Sequence, residues 1–123
     1  MAYLTDRKRA TGLGSAKTGT EHFWQMQVSS VALAILIPLF IFTFGRIVGG
    51  THAEVTAYFA RPFPAIIAGL TIVTGFLHFK NGAQVMIEDY AQGATRKALI
   101  MGVTGLSYLC MATGLFALVN LAL

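Results

Sequence analysis

The chain has 123 residues, of which 55% are hydrophobic and only 11% are charged. Soluble domains carry roughly 25% charged residues, so this composition excludes a soluble globular domain and a disordered tail. The single cysteine, Cys110, excludes a disulfide scaffold. A formal net charge of +4 would suggest nucleic acid in a soluble protein. Here we expect the basic residues to set membrane orientation, with no nucleic-acid partner.

Three long stretches contain no Asp, Glu, Lys or Arg: residues 22–45, 62–79 and 98–123. A membrane-crossing helix needs about 20 mostly apolar residues. We therefore predict an all-α membrane protein with three transmembrane helices. The predicted organisation is an N-terminal segment at 1–24 and a transmembrane domain at 25–123, with spans at about 25–48, 63–89 and 96–121.

The N-terminal segment is basic and rich in glycine, and it has no apolar periodicity. We expect it to be irregular, except for a short interfacial helix near residues 22–27, and to carry no cleavable secretory signal. Pro38 predicts a kink within the first span, since neighbouring groups in a membrane satisfy the freed carbonyl. Residues 49–62 are predicted to form an external loop in which Tyr58 is an interfacial anchor. Gly93 is predicted to stop the second span.

Basic residues near the spans predict the orientation, because they concentrate in cytoplasmic segments. Six lie in the N-terminal segment and the second connection: Arg7, Lys8, Arg9, Lys17, Arg96 and Lys97. The first connection has only Arg46 and Arg61. We therefore expect the N-terminus to be cytoplasmic and the C-terminus periplasmic.

The second span carries one histidine inside its apolar run, His78. At 100° and 1.5 Å per residue, His78, Gly82 and Asp89 share one stripe of a helix, with His78 and Asp89 roughly 16 Å apart along the axis. Gly75 and Gly82 lie about one turn from the histidine on either side, which leaves room for a flat macrocycle. The stripe therefore combines an imidazole, open backbone and a carboxylate.

A histidine at mid-membrane depth indicates function, because ionisable groups are costly there. Imidazole is a common axial ligand of haem iron. Two other interpretations remain: a histidine hydrogen-bonded to a neighbouring helix, or one that lines a proton path. Because His22 and His52 lie at or beyond the membrane edges, a second axial ligand would come from another chain.

Asp89-Tyr90 ends the second span and also has two interpretations. Acidic and tyrosine residues are common at membrane boundaries. Alternatively, the tyrosine hydroxyl donates a hydrogen bond to a quinone carbonyl while the acidic neighbour helps to deliver protons. The presence of His78 eleven residues upstream on the same stripe favours the functional interpretation.

At these residues the chain resembles the small hydrophobic membrane anchor of succinate dehydrogenase, or complex II. The shared pattern is H-x-x-x-G-x(6)-D-Y, from His78 through Gly82 to Asp89-Tyr90. Residues 12–24 and 61–70 resemble the alphaproteobacterial members. The resemblance implies that His78 is an axial ligand of haem b, that Gly82 packs against the haem, that Tyr90 hydrogen-bonds ubiquinone and that Asp89 supports the ubiquinone pocket.

The same resemblance implies the setting of the chain. It would be a non-catalytic subunit of succinate:ubiquinone oxidoreductase in the bacterial inner membrane, bundled with a second membrane anchor that supplies the other haem ligand. An iron–sulfur subunit and a flavoprotein subunit would deliver electrons from succinate on the cytoplasmic side. The alternatives are an anchor of a fumarate reductase and a purely structural anchor without haem.

One position departs from the family pattern. Gln27 stands where many members have an arginine near the start of the first span, so no role of that arginine carries over to this chain. Lys80 offers a positive charge to a haem propionate, but snorkelling towards the interface is the slightly favoured interpretation.

Overall fold

The computed structural model describes residues 3–15, 17 and 19–123. Every regular element in this part of the chain is helical. The elements are α1 (Asp6–Thr11), α2 (Gly19–Gly45), α3 (His52–Phe59), α4 (Pro62–Tyr90) and α5 (Gly93–Ala122). Helices α2, α4 and α5, with 27, 29 and 30 residues, are long and apolar enough to cross a membrane. The predicted all-α fold with three transmembrane helices is confirmed.

The ends of the long helices differ in part from the predicted spans. Helix α2 begins at Gly19 rather than near residue 25, because its polar first turns continue the helix beyond the apolar stretch. Pro38 lies inside α2 and does not end it. Gly93 does not act as a stop: α4 already ends at Tyr90, and Gly93, with a φ of +60°, is the first residue of α5.

Two short helices form where the sequence predicted irregular structure, so those predictions were wrong. Helix α1 begins after Thr5, whose hydroxyl accepts a hydrogen bond from the Lys8 N–H. Helix α3 occupies most of the predicted external loop and begins with a capping box. Thr51 Oγ1 accepts from the Glu54 N–H at 3.4 Å, and Glu54 Oε2 accepts from the Thr51 N–H at 2.7 Å. Both ends of this reciprocal pair satisfy backbone donors that the helix itself leaves unpaired.

Helix α4 is the centre of the described fold. It packs against both α2 and α5, whereas α2 and α5 do not pack against each other in the described ranges. Gly114 of α5 lies at the contact with α4, where an added Cβ would be 3.4 Å from Ile72, whereas Gly102 and Gly105 have no neighbour within 4 Å of such an atom. The short helix α3 also contacts α4 and α5. The faces of α4 that none of these helices covers are open to lipid or to other subunits.

The connection between α2 and α4 is fixed by Tyr58. Its hydroxyl donates a hydrogen bond of 2.9 Å to the carbonyl of Thr43, a buried residue near the end of α2. Tyr58 therefore links α3 to the end of α2 through one hydrogen bond, while α3 itself packs against α5 and α4. At the other end of α4, Glu88 and Arg96 form an ion pair of 3.5 Å across the turn into α5.

Candidate functional site

His78 lies in the apolar part of α4, and its side chain is half-buried. Its Nδ1 is 2.8 Å from the hydroxyl oxygen of Ser29 on α2. His78 is twelve residues before the end of α4 at Tyr90, or about 18 Å along the helix. No hydrogen bond is made by Nε2 within the described part of the chain. The imidazole is thus held by one nitrogen, while the other remains available to a ligand from outside the chain.

The two glycines near His78 leave different amounts of space. A Cβ added at Gly75 would meet no atom within 4 Å. One added at Gly82 would meet only the tip of Met26 on α2, at 3.8 Å. Gly75 also lines an apolar cavity of about 350 Å³ together with Phe40, Thr71, Ile72, Phe76 and Phe79. The backbone next to His78 is therefore open, and the structure places Gly82 partly under α2.

Asp89 and Tyr90 lie at the end of α4 and form a second, separate region. Tyr90 is 88% exposed, and Asp89 is exposed beside it. Tyr90 lines a cavity of about 600 Å³ with Met86, Ile87, Ala91, Gln92, Thr95 and Leu99. The helical rise places this region about 16 Å from His78. The predicted site residues thus share one helix, but the structure does not bring them into contact.

The two neighbouring carboxylates at this end of α4 differ in their partners. Glu88 accepts a hydrogen bond of 3.0 Å from the Gln84 amide and pairs with Arg96. Asp89 forms no ion pair with the residues that the structure describes. Glu88 is therefore committed to the turn between α4 and α5, and Asp89 is the carboxylate that remains available next to Tyr90.

A larger cavity, about 900 Å³, opens on one flank of α4 between α2 and α5. Ser29, Lys80 and Asn81 are among its lining residues. The Lys80 ammonium lies 5.9 Å from the centre of the Tyr108 ring, a cation–π distance. Lys80 therefore has a partner within this chain. Gln27 is exposed.

Ser29 is the functional candidate that the sequence reasoning did not single out. Its hydroxyl is the only described hydrogen-bond partner of His78 in another helix. A usable signal was present, since Ser29 and Ser30 interrupt an otherwise apolar stretch.

These features define an integral membrane protein with three spans, in which the polar residues of interest lie on the central span. The chain belongs to the succinate dehydrogenase/fumarate reductase transmembrane subunit family, which it matches over residues 1–119. It is 46% identical over 123 residues to a succinate dehydrogenase hydrophobic membrane anchor subunit of Paracoccus denitrificans, covering 100% of this chain and 95% of the relative. It is 28% identical over 111 residues to the subunit of the same name from Rickettsia bellii, covering 89% and 88% of the two chains.

The predicted family and the anchor role are confirmed by these relatives. The protein is a multi-pass protein of the bacterial inner membrane, and its relatives are subunits of succinate dehydrogenase. No solved structure matches the chain.

Proposed function

We propose that this chain anchors succinate:ubiquinone oxidoreductase to the inner membrane, supplies His78 as one axial ligand of a haem b, and contributes Tyr90 to the site of ubiquinone reduction. The observation that carries the proposal is the state of His78. It lies deep in an apolar helix, is held through Nδ1 by Ser29, and leaves Nε2 without a described partner. Nε2 is not enclosed by this chain, and a polar nitrogen that faces lipid without a partner is costly, which favours a ligand outside this chain.

The residues around His78 suit a flat, apolar group with one iron ligand. Imidazole nitrogen is a haem ligand, the backbone at Gly75 is open, and a phenylalanine-lined cavity adjoins it. A bound b-type haem would supply one-electron redox chemistry at this depth. Because His22 and His52 lie near the ends of their helices, the second axial ligand would come from the partner membrane anchor.

The end of α4 suits a quinone headgroup. Ubiquinone takes up two electrons and two protons to form ubiquinol, with the electrons coming from succinate through the flavoprotein and iron–sulfur subunits. The exposed Tyr90 hydroxyl would donate a hydrogen bond to a quinone carbonyl. Asp89, which has no described ion pair, would hold or pass a proton beside it. The 600 Å³ cavity next to Tyr90 falls within the usual size range of small-molecule sites.

Haem content tests the ligand assignment. We expect His78→Ala to lose b-type haem in the purified complex with all of its subunits. The measurement is the ratio of haem to flavin in that complex. His52→Ala is the matched control, because His52 is exposed at the start of α3. Full haem content in the His78→Ala complex would instead favour a purely structural anchor in which His78 only bonds Ser29.

Quinone kinetics test Tyr90 separately. Removing one hydrogen bond costs about 0.5–1.5 kcal/mol, which corresponds to a fall of roughly 2- to 10-fold in kcat/KM for ubiquinone. We expect Tyr90→Phe to show this fall while succinate oxidation with an artificial acceptor is unchanged. Tyr108→Phe, on α5, should leave both activities unaltered. An unchanged kcat/KM for ubiquinone in Tyr90→Phe would contradict the assignment, whereas equal loss of both activities would indicate an assembly defect.

A further inference from the structure

The hydroxyl of Ser29 has more neighbours than it has protons. Its oxygen is 2.7 Å from the carbonyl of Gln25, 3.0 Å from that of Met26 and 2.8 Å from His78 Nδ1. The two carbonyls can only accept hydrogen bonds, and a serine hydroxyl has one proton to donate. The shortest contact is the bond back to the preceding turn, which serines commonly make inside helices. With its proton directed to a carbonyl, the Ser29 oxygen can meet His78 only as an acceptor.

The tautomer of His78 follows from this arrangement. If Ser29 accepts, then His78 must donate from Nδ1, so its proton lies on Nδ1 and the lone pair lies on Nε2. A metal-bound histidine usually donates its other N–H to a fixed acceptor, which sets the tautomer and ring orientation and makes the imidazole a stronger donor to the metal. Ser29 on α2 is in the position of such an acceptor, because its oxygen lies 2.8 Å from His78 Nδ1.

We propose that Ser29 is the positioning residue for His78: it selects the tautomer that presents Nε2, fixes the ring between α2 and α4, and lowers the haem potential by strengthening the imidazole as a ligand. This inference rests on the proposed ligation of haem by His78. Ser29 does not touch the haem in this scheme. It acts through the imidazole, so its effect falls on the properties of the bound iron rather than on the quinone end of α4.

The chain offers a closely matched control at the next position. The Ser30 hydroxyl also bonds back to its own helix, 2.8 Å from the Met26 carbonyl, but it has no described contact with His78. Ser30→Ala removes the same chemical group from the same helix turn as Ser29→Ala. Any effect of losing a hydroxyl on α2 itself is therefore shared by both variants, and the bond to His78 is what distinguishes them.

The test is a redox titration of haem b in the assembled complex, with absorption and electron paramagnetic resonance spectra, for wild type, Ser29→Ala, Ser29→Thr and Ser30→Ala. Without the Ser29 oxygen as hydrogen-bond acceptor, the His78 imidazole is a weaker electron-pair donor to iron. Ferric iron depends on this donation more strongly than ferrous iron does. We expect Ser29→Ala to raise the midpoint potential, and a tenfold loss of ferric relative to ferrous binding corresponds to about 59 mV. Ser29→Thr, which keeps the hydroxyl, and Ser30→Ala should retain the wild-type potential and spectra.

Each other result has a definite meaning. A haem-loaded Ser29→Ala complex with the potential and spectra of Ser30→Ala overturns the role of Ser29 and leaves haem ligation intact. A wild-type complex without haem overturns the proposed function itself, and this inference with it. If Ser29→Ala does not assemble, Ser29→Cys carries the test, because a thiol keeps the size of serine but is a weak acceptor. A wild-type potential in that variant overturns the inference.

Discussion

The substitution Gly82→Ala should have opposite effects on the packing of this chain and on the retention of a haem bound beside it. Inside this chain, Gly82→Ala has almost no steric cost, because the added Cβ would lie 3.8 Å from the flexible end of Met26. This is an ordinary contact distance. Alanine also favours a helix over glycine by about 0.8–1.0 kcal/mol. Considered alone, the chain should tolerate the substitution or gain stability from it.

A haem packed against Gly82 reverses this expectation. Adding a methyl group to a well-packed contact costs about 1–3 kcal/mol. At 1.4 kcal/mol for each factor of ten, this cost corresponds to roughly 5- to 150-fold weaker retention of the group. The variant complex should therefore assemble normally and lose haem.

The assay is the rate of haem transfer from the purified complex to an excess of an apo-globin, followed by absorption, together with the thermal stability of the complex. Gly69→Ala is the control, since the same change on the same helix meets Leu118 of α5 at 3.4 Å, inside this chain. We expect faster haem loss only in Gly82→Ala. Haem transfer at the wild-type rate in Gly82→Ala would refute the packing of haem against this glycine.

Two further predictions concern the α2–α4 connection. Tyr58→Phe removes the hydrogen bond to the Thr43 carbonyl and should lower stability by about 1 kcal/mol, measured by thermal unfolding of the complex in detergent; equal stability of Tyr58→Phe and the exposed control Tyr3→Phe would contradict it. The backbone and side-chain hydrogen bonds from Thr51 hold the pKa of Glu54 below its ordinary 4.5, so their stabilisation of α3 is complete above that value and is lost as pH falls through the lowered pKa. By carboxyl-selective NMR titration, Thr51→Ala should raise the pKa of Glu54, whereas Thr56→Ala, which loses only hydrogen bonds to the carbonyls of His52 and Ala53, should not.

The sequence predicted the three spans because the absence of charge over a long stretch is a strong signal with one physical cause. The same signal does not report helices outside the apolar region. Helix α2 extends six residues beyond its predicted start, and α1 has no apolar periodicity to reveal it. Helix α3 has only eight residues, with Val55, Tyr58 and Phe59 on one face. For α3 a local signal existed in Thr51-x-x-Glu54, the spacing of a capping box. The start of a helix is therefore better predicted from polar capping patterns, and a transmembrane span from its apolar stretch.

Helical periodicity also placed His78, Gly82 and Asp89 on one stripe. It does not report which residues of that stripe another helix covers. In the structure, α2 contacts part of this stripe at His78 and Gly82, while Asp89 and Tyr90 extend beyond it. A pattern on one helix cannot tell which part of its face another span of the same chain occupies. The division of α4 into a covered region and a free end is therefore a tertiary property.

Distance from the helix ends, rather than periodicity, is what matches Ser29 with His78 in the structure. Ser29 lies ten residues after the start of α2 and His78 twelve before the end of α4, so both lie about 15–18 Å from the same side of the antiparallel pair. A hydroxyl at that depth has no water to bond, so it must turn back on its own helix or meet a polar group of equal depth on a neighbour. Ser29 does both, because its oxygen keeps two lone pairs after its proton is used. Ser30 does only the first. The predicted start of the first span near residue 25 puts Ser29 only about 6 Å from the helix end. The match with His78 therefore becomes visible only with the observed start of α2 at Gly19, and only the contact chooses between the two serines.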